Sequence, residues 1–502
     1  MAGPQYQFGP LERPGIVLGL SGGRVIVLLL GLFITVVVIN LDSGVMGFLG
    51  GIGIMVLAAV VAFTPVAGRG LDEWIPTVVR WLILGVLGRK RVASIPIMGQ
   101  TRSGEPPSET PPNLAKLRIL AAEQAAGGPR IGVVKDERAG TFTAAVAVRG
   151  TAFALLSASD QQQRLMGWAN VLAGLAVANS PISRLQWLER TAPSDSDALA
   201  RYFSERAVLE PQHPSVQSYL QLVDEAQPVT QQHEAFVVLQ VSARKAYKAI
   251  RKAGGGDKGA CAVTLRALEG LVDLLYDADL HVEGVLPPRL YARAIRTGFD
   301  PSARVGMSRI GAADPAREGA PSHEAFPHAT EAAWNSYRAD GAWHSTYWIA
   351  EWPRVAVGPD FLAPLLLRTR AVRAVSLVME PVDPQRSARE AEAAITRDEA
   401  NRTMREQRGF MTTARRSRQE DAVREREQEL AVGHSEYRFS GYVTVTATSE
   451  DELERACGEI EQRASQSRVT LRRMYGEQDM AFTTTLPLCR GLRETSALKR
   501  GQ

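Results

Sequence analysis

Cysteine is scarce in this 502-residue chain, with three residues at positions 261, 457 and 489 and no C-x-x-C. An odd number at such wide spacing supports neither a disulfide framework nor a zinc ribbon, so the bulk of the chain is most simply cytosolic. Histidine is scarce too, with seven residues and neither an H-E-x-x-H nor an i, i+4 pair. His323 and His328, close together beside Glu324, read as solvated loop residues and not as ligands. G-x-S-x-G does not occur. The nearest approach to a phosphate cradle, Gly254 to Gly259, lacks Lys-Ser/Thr at P-loop spacing and does not follow a buried strand, so it reads as a flexible loop. No nucleophile, paired-carboxylate or metal constellation stands out, and no catalytic, cofactor-binding or metal residue is expected. Charge of one sign is lacking as well: 58 Lys+Arg against 54 Asp+Glu leaves +4. Spread over this length, that excess is too small to point to nucleic acid.

Long uncharged runs are what the sequence does have. The mean hydropathy of -0.10 is that of a soluble protein, but the average conceals an uneven distribution, because the apolar excess lies before Arg91. Val25 to Leu41 carries no charge, and a second uncharged run extends through Gly44 to Gly68. A helix needs about 20 apolar residues to cross a bilayer. The two runs are separated only by Asn40 to Gly44, which predicts an antiparallel transmembrane hairpin. Arg13 and Arg24 precede it, Arg69, Arg80, Arg89, Lys90 and Arg91 follow it, and its turn holds only Asp42. By the positive-inside rule both termini are expected on the cytoplasmic side of the cell (inner) membrane. A cleaved signal peptide would leave the second run unexplained. Gly44, Gly47, Gly50, Gly51 and Gly53 fall near four-residue spacing, which suits close approach of a neighbouring helix or packing within the hairpin. Leu71 to Arg91 is too short for a third span. Trp74, Trp81 and the cluster Arg89, Lys90 and Arg91 suit a helix lying at the membrane interface; a helix packed beneath the soluble domain fits the same pattern.

The remainder reads as an α/β (α+β) cytosolic part. Residues 1–95 are assigned to the hairpin and interfacial helix, 96–113 to a Pro-rich linker, 114–300 to a first α/β unit, 301–340 to an irregular insertion, and 341–502 to a second unit. In the first unit a hairpin turns at Ala139-Gly140, Ser159 is expected to cap a helix over Asp160 to Asn179, and strands are expected at Arg184 to Glu189 and His233 to Val241. Helices are expected near Ser194 to Ala207, Ser215 to Glu225 and Ala260 to Tyr276. In the second, strands are expected at Trp343 to Trp352, Ala371 to Glu380, Glu436 to Ala447, Val469 to Met474 and Met480 to Thr485. Helices are expected at Pro359 to Leu367 and Glu450 to Ala464, the latter opened by a Ser449/Glu452 capping box. Between Pro384 and Val432 runs a segment dense in Arg and Glu. It fits either a solvated helix pair or a partner-docking surface carried by Arg402, Arg405, Arg415, Arg416 and Arg418. As a path for DNA these arginines, together with Arg408, are disfavoured by the acids interleaved among them and by few aromatics.

Two pieces of the chain resemble known families. FGPLERPGIVLGLSGGRV followed by the hairpin resembles the PrgI-type inner-membrane component of conjugation and type IV secretion systems. The second unit is similar to the non-catalytic amino-terminal part of the type IV secretion ATPase. The stretches that carry this likeness are Ala371 to Glu380, the Arg/Glu segment, YRFSGYVTVTATSEDELERA and FTTTLPL. Actinobacterial chains of this length and layout occur in conjugation-like secretion clusters. The EccE component of type VII secretion, with two helices and a cytosolic α/β domain, is the alternative resemblance.

The chain reaches Gln502 without the P-loop motor of the ATPase family. The resemblance therefore implies a non-catalytic membrane subunit without cofactors. Its implied partners are a separate secretion ATPase, other membrane subunits and membrane lipid, with further copies of itself as an option. A membrane-anchored enzyme without recognisable motif is the competing class.

Overall fold

A computed structural model describes residues 22–41, 44–66, 69–93, 110–124, 127–150, 153–193, 212–226, 231–387 and 435–492, with isolated positions 206, 210, 389 and 393. The elements and contacts lie among these residues. In chain order the helices are α1 (Gly22–Leu41), α2 (Val45–Phe63), α3 (Leu71–Val86), α4 (Ala158–Leu175), α5 (Pro214–Ala226), α6 (Tyr247–Lys252), α7 (Gly256–Asp277), α8 (Pro288–Phe299), α9 (Ala303–Ala313), α10 (Ala363–Leu367), α11 (Glu450–Gln466) and α12 (Gln478–Phe482). The strands are β1 (Pro65–Val66), β2 (Arg69–Gly70), β3 (Arg91–Ala93), β4 (Leu117–Ala122), β5 (Ile131–Asp136), β6 (Thr141–Arg149), β7 (Ile182–Pro193), β8 (Gln231–Ser242), β9 (His281–Val285), β10 (Ala329–Ala332), β11 (Tyr337–Ala339), β12 (Ala342–Glu351), β13 (Val372–Pro381), β14 (Tyr437–Ala447) and β15 (Thr470–Arg473).

The helices α1 and α2 are long and apolar enough to cross a membrane and pack against each other as a hairpin. Small residues make the contact. Gly47, Gly51, Ala58 and Ala62 form the buried stripe of α2, and a Cβ on Gly31 would lie 2.5 Å from that of Ala58. Thr35 donates its hydroxyl to the carbonyl of Gly51 at 3.2 Å, an interhelical bond of the kind that small interfaces allow. Of the glycine stripe, Gly47 and Gly51 thus serve the hairpin itself, while a Cβ on Gly53 would meet nothing within 4 Å. Around this seam Leu29, Leu30, Phe33, Phe48, Leu49 and Leu57 are exposed.

Both α/β units belong to one 13-stranded antiparallel sheet, with the order β3-β10-β11-β12-β14-β13-β7-β8-β6-β5-β4. The same arrangement occurs twice. β4-β5-β6-β8-β7 with β9 beside β6 corresponds to β10-β11-β12-β14-β13 with β15 beside β12. In each half a long helix, α7 or α11, follows the strand pair and leads into the short return strand. The equivalent strands β7 and β13 meet antiparallel at the centre, Leu377 opposite Trp187, so the halves are related by a local two-fold. Strand alternation assigns the faces. Val375, Leu377 and Met379 share one face with the cores under α4 and α7 and under α10 and α11. Leu188, Phe236 and Val238 share the other with α8 and Phe482. Across this second face runs the segment 483–492. Fully buried Gln186 donates to Ser376 Oγ at 2.8 Å and to the carbonyls of Thr484 and Leu486 at 3.1 and 2.9 Å, and accepts from Cys489 N at 2.8 Å. A buried amide is tolerable because donors and acceptor alike are satisfied.

Three expectations need correction. Residues 301–340 are not irregular: α9, β10 and β11 lie there. Strands of three or four residues carry no periodicity of their own, and their ladders with β3 and β12 stabilise them. Met480 to Thr485 forms no strand but α12 and a 3-10 turn. The hydroxyls of Thr483, Thr484 and Thr485 donate back to the carbonyls of Met480, Ala481 and Phe482, each three residues earlier, an alternative to a ladder that threonine side chains offer. The cap of α4 is Ser157, not Ser159, accepting from Asp160 N at 3.3 Å. At α11 the expected cap is present: Ser449 Oγ accepts from Glu452 N at 3.3 Å, while the Glu452 carboxylate takes the Thr448 backbone N–H at 3.0 Å. The expected helix Ser194 to Ala207 lies largely outside the described residues.

Candidate membrane-docking site

The α3 sequence LDEWIPTVVRWLILGV splits into two faces at helical spacing. Toward the sheet point Trp74, Thr77, Arg80 and Trp81. Trp74 stacks on Trp334 with ring centroids 5.8 Å apart, and Trp81 meets the same ring edge-on at 5.2 Å. Tyr475 completes the cluster 6.4 Å from Trp74. Lys90 sits over the Trp81 ring, its Nζ 2.9 Å from the centroid, where the ring quadrupole attracts a cation. Arg80 pairs with Asp479 at 2.6 Å and also donates to the Gly476 carbonyl at 3.4 Å. Gly476 has φ +71, and a Cβ there would press on Trp334 and Thr77, so this position needs glycine on both counts.

Beyond α3 the chain joins the sheet. Ala332 N donates to the Lys90 carbonyl at 2.8 Å, β3 pairs with β10, and Arg91 bonds Glu331 at 2.7 Å. On the opposite side of α3 stand Ile75, Val79, Leu82, Ile83 and Val86, between 48% and 88% exposed.

Of the residues assigned from sequence to a membrane interface, Trp74, Trp81 and Lys90 therefore make their aromatic contacts with the protein. Arg91 is paired yet 80% exposed, and Arg89 is exposed. Val25 and Leu41 lie in α1 and Gly44 immediately precedes α2. Gly68 and Arg402, Arg405, Arg415, Arg416 and Arg418 lie outside the described residues. Sequence reasoning missed Trp334 and Asp479. Trp334 sits in a Gly/Ala/Pro-rich stretch without period. Arg80, the one charge between Trp74 and Val86 of α3, was the available hint of an acidic partner.

A second polar cluster ties the two halves of the sheet together. Arg373, its side chain fully buried, pairs with Glu189 at 2.5 Å across the β7–β13 junction, and Glu189 also bonds His233 at 2.6 Å. On the other face Arg190 and Arg304 flank Glu234 at 2.6 and 3.1 Å. Burial alone would raise the Glu234 carboxyl, but these guanidinium groups hold it below its ordinary value. Such an arrangement fixes geometry; it presents no nucleophile. Burial raises all three thiols, Cys261 to about 11, which disfavours the reactive thiolate. Among the described residues no three His, Cys, Asp or Glu side chains are grouped to hold a metal ion. A shallow, open depression of about 370 Å³ between residues 356–368 and 466–468 is lined by Arg368, Arg468 and Ser467.

Residues 229–349 match the family described as the type VII ESX secretion system translocon EccE. The match spans roughly a quarter of the chain. It runs from the start of β8 into β12 and includes Glu331 of β10, which pairs with β3, and Trp334, which packs against α3. A comparison with curated proteins gave no match.

Proposed function

We propose that this chain is a non-catalytic membrane subunit of a secretion translocon of the type VII class, anchored by the α1–α2 hairpin and offering its sheet to neighbouring subunits. The observation that carries the reading is that the translocon family match, which spans parts of both halves of the sheet, includes β10 and Trp334, where β3 and α3 join it. The match favours the type VII resemblance over the conjugation and type IV one, which finds no support in the comparisons.

On this reading both chain ends lie on the cytoplasmic side, because the basic residues flank the hairpin and only Asp42 occupies its turn. Other membrane subunits and a separate ATPase are the partners. The segment between β13 and β14, with Arg402, Arg405, Arg415, Arg416 and Arg418, is the docking surface we assign to them. The full chain should co-purify with other membrane subunits when extracted in mild detergent from cells containing the whole secretion cluster. A chain that is recovered alone under those conditions would sink the reading.

A further inference from the structure

We propose that the outer face of α3 lies in the lipid headgroup boundary, making this helix a third, in-plane membrane element that holds the β3 edge of the sheet against the bilayer. The inference rests on the reading that the hairpin spans the membrane, and names the lipid surface as the ligand of the docking site.

Side-chain direction divides α3 into two faces. Ile75, Val79, Leu82, Ile83 and Val86 recur at the i, i+4, i+7, i+8 and i+11 spacing of one helix stripe, and all are exposed. The inner stripe is committed elsewhere. Thr77 is 4% exposed, Trp74 and Trp81 hold Trp334 between them, and Arg80 is paired with Asp479. With those contacts made, the helix cannot roll its apolar stripe back onto the sheet.

Position supplies the occupant. Only residues 64–70 separate α2 from α3, and the β1–β2 pairing folds part of that connection back on itself. α3 also touches both α1 and α2, and the C-terminal end of α2, which leads into it, lies with the N-terminal end of α1 at the side where the hairpin leaves the hydrocarbon. An exposed uncharged stripe at that level meets lipid. A helix in this setting buries its apolar face about 5–10 Å into the boundary between headgroups and acyl chains.

The consequence for the soluble part is a fixed direction. β3 follows α3 directly and forms one edge of the sheet, whereas β4 lies ten strand steps away along the sheet path. At about 4.8 Å per step this separation is roughly 48 Å. The repeated half containing β10–β15 is thus the membrane-proximal one, and the half containing β4–β9 is carried away from α3.

The test uses the full chain reconstituted in phosphatidylcholine/phosphatidylglycerol vesicles, with a nitroxide on a single introduced cysteine at Leu82, Ile83, Phe33 or Tyr247. The three native thiols are buried, and all four chosen positions are exposed. Labels at Leu82 and Ile83 should be reached by oxygen and shielded from a water-soluble nickel chelate, as at Phe33, with the reverse at Tyr247. Water-like accessibility at Leu82 and Ile83 with a lipid-like Phe33 would overturn the in-plane helix and leave the hairpin standing. Shielding of both positions from both quenchers would also overturn it, by showing that protein covers the stripe. A water-like Phe33 would overturn the hairpin reading and this inference together.

Discussion

His344 should make the fold acid-labile in a pH range where carboxylates do not titrate. Its ring is fully buried beside Phe482, centroids 4.4 Å apart. Nε2 lies 2.9 Å from the Phe299 carbonyl and Nδ1 3.0 Å from the Thr446 hydroxyl. Because a carbonyl only accepts, the network assigns the proton to Nε2, and Nδ1 accepts from Thr446. Burial penalises the imidazolium and pulls the group from 6.5 down to about 3, and the Phe299 bond offsets this only partly. The folded value is depressed, so below 6.5 the unfolded chain binds a proton that the folded chain refuses. The stabilising contribution is whole above pH 6.5 and is lost as pH falls toward 3. At pH 5 the loss comes to about 2 kcal/mol, from 1.36 kcal/mol per unit. Glu234, held below the ordinary carboxylate range, loses its contribution only at lower pH still. Thermal melting of the full chain in detergent at pH 7.5 and 5.0, for the native chain and His344→Gln, measures the effect. Glutamine retains an N–H donor without titrating, so the variant should lose less stability than the native chain between the two pH values. Equal losses in the two proteins would refute the reasoning.

Two further outcomes follow from the packing. Arg373→Met would leave the Glu189 carboxylate at the β7–β13 junction without its guanidinium partner, at a cost of about 3–5 kcal/mol, and Glu189→Leu in the same chain should recover most of that in urea unfolding. Gly31→Ile would force α1 away from Ala58. A disulfide between cysteines placed at Val38 and Gly50, where a Cβ on Gly50 lies 3.7 Å from Val38, should form readily in membranes and poorly when Gly31→Ile is added.

The hairpin, most strands and α11 with its Ser449 cap were legible in the sequence because each rests on a local signal: uncharged length, alternation, or a capping residue. The repeat was not. The halves share pairing order without an obvious shared residue pattern, and only the antiparallel meeting of β7 with β13 reveals that the two α/β units form one sheet. The helix α3 was half legible. Trp74 and Trp81 located it, but tryptophan suits a membrane interface and a protein contact equally well, and the choice was made by Trp334, which is 253 residues further on than Trp81. Met480 to Thr485 misled for a related reason. Its β-prone threonines turn their hydroxyls onto their own backbone once the segment is buried under the sheet.

Secretion itself gives the sharpest check on the proposed role. In cells lacking the chain, export of the substrates of its secretion cluster should be lost or strongly reduced. The full chain should restore it, and a chain without residues 22–63 should not. Ordinary export in its absence, or full rescue by the chain without the hairpin, would contradict a membrane-anchored role in the translocon.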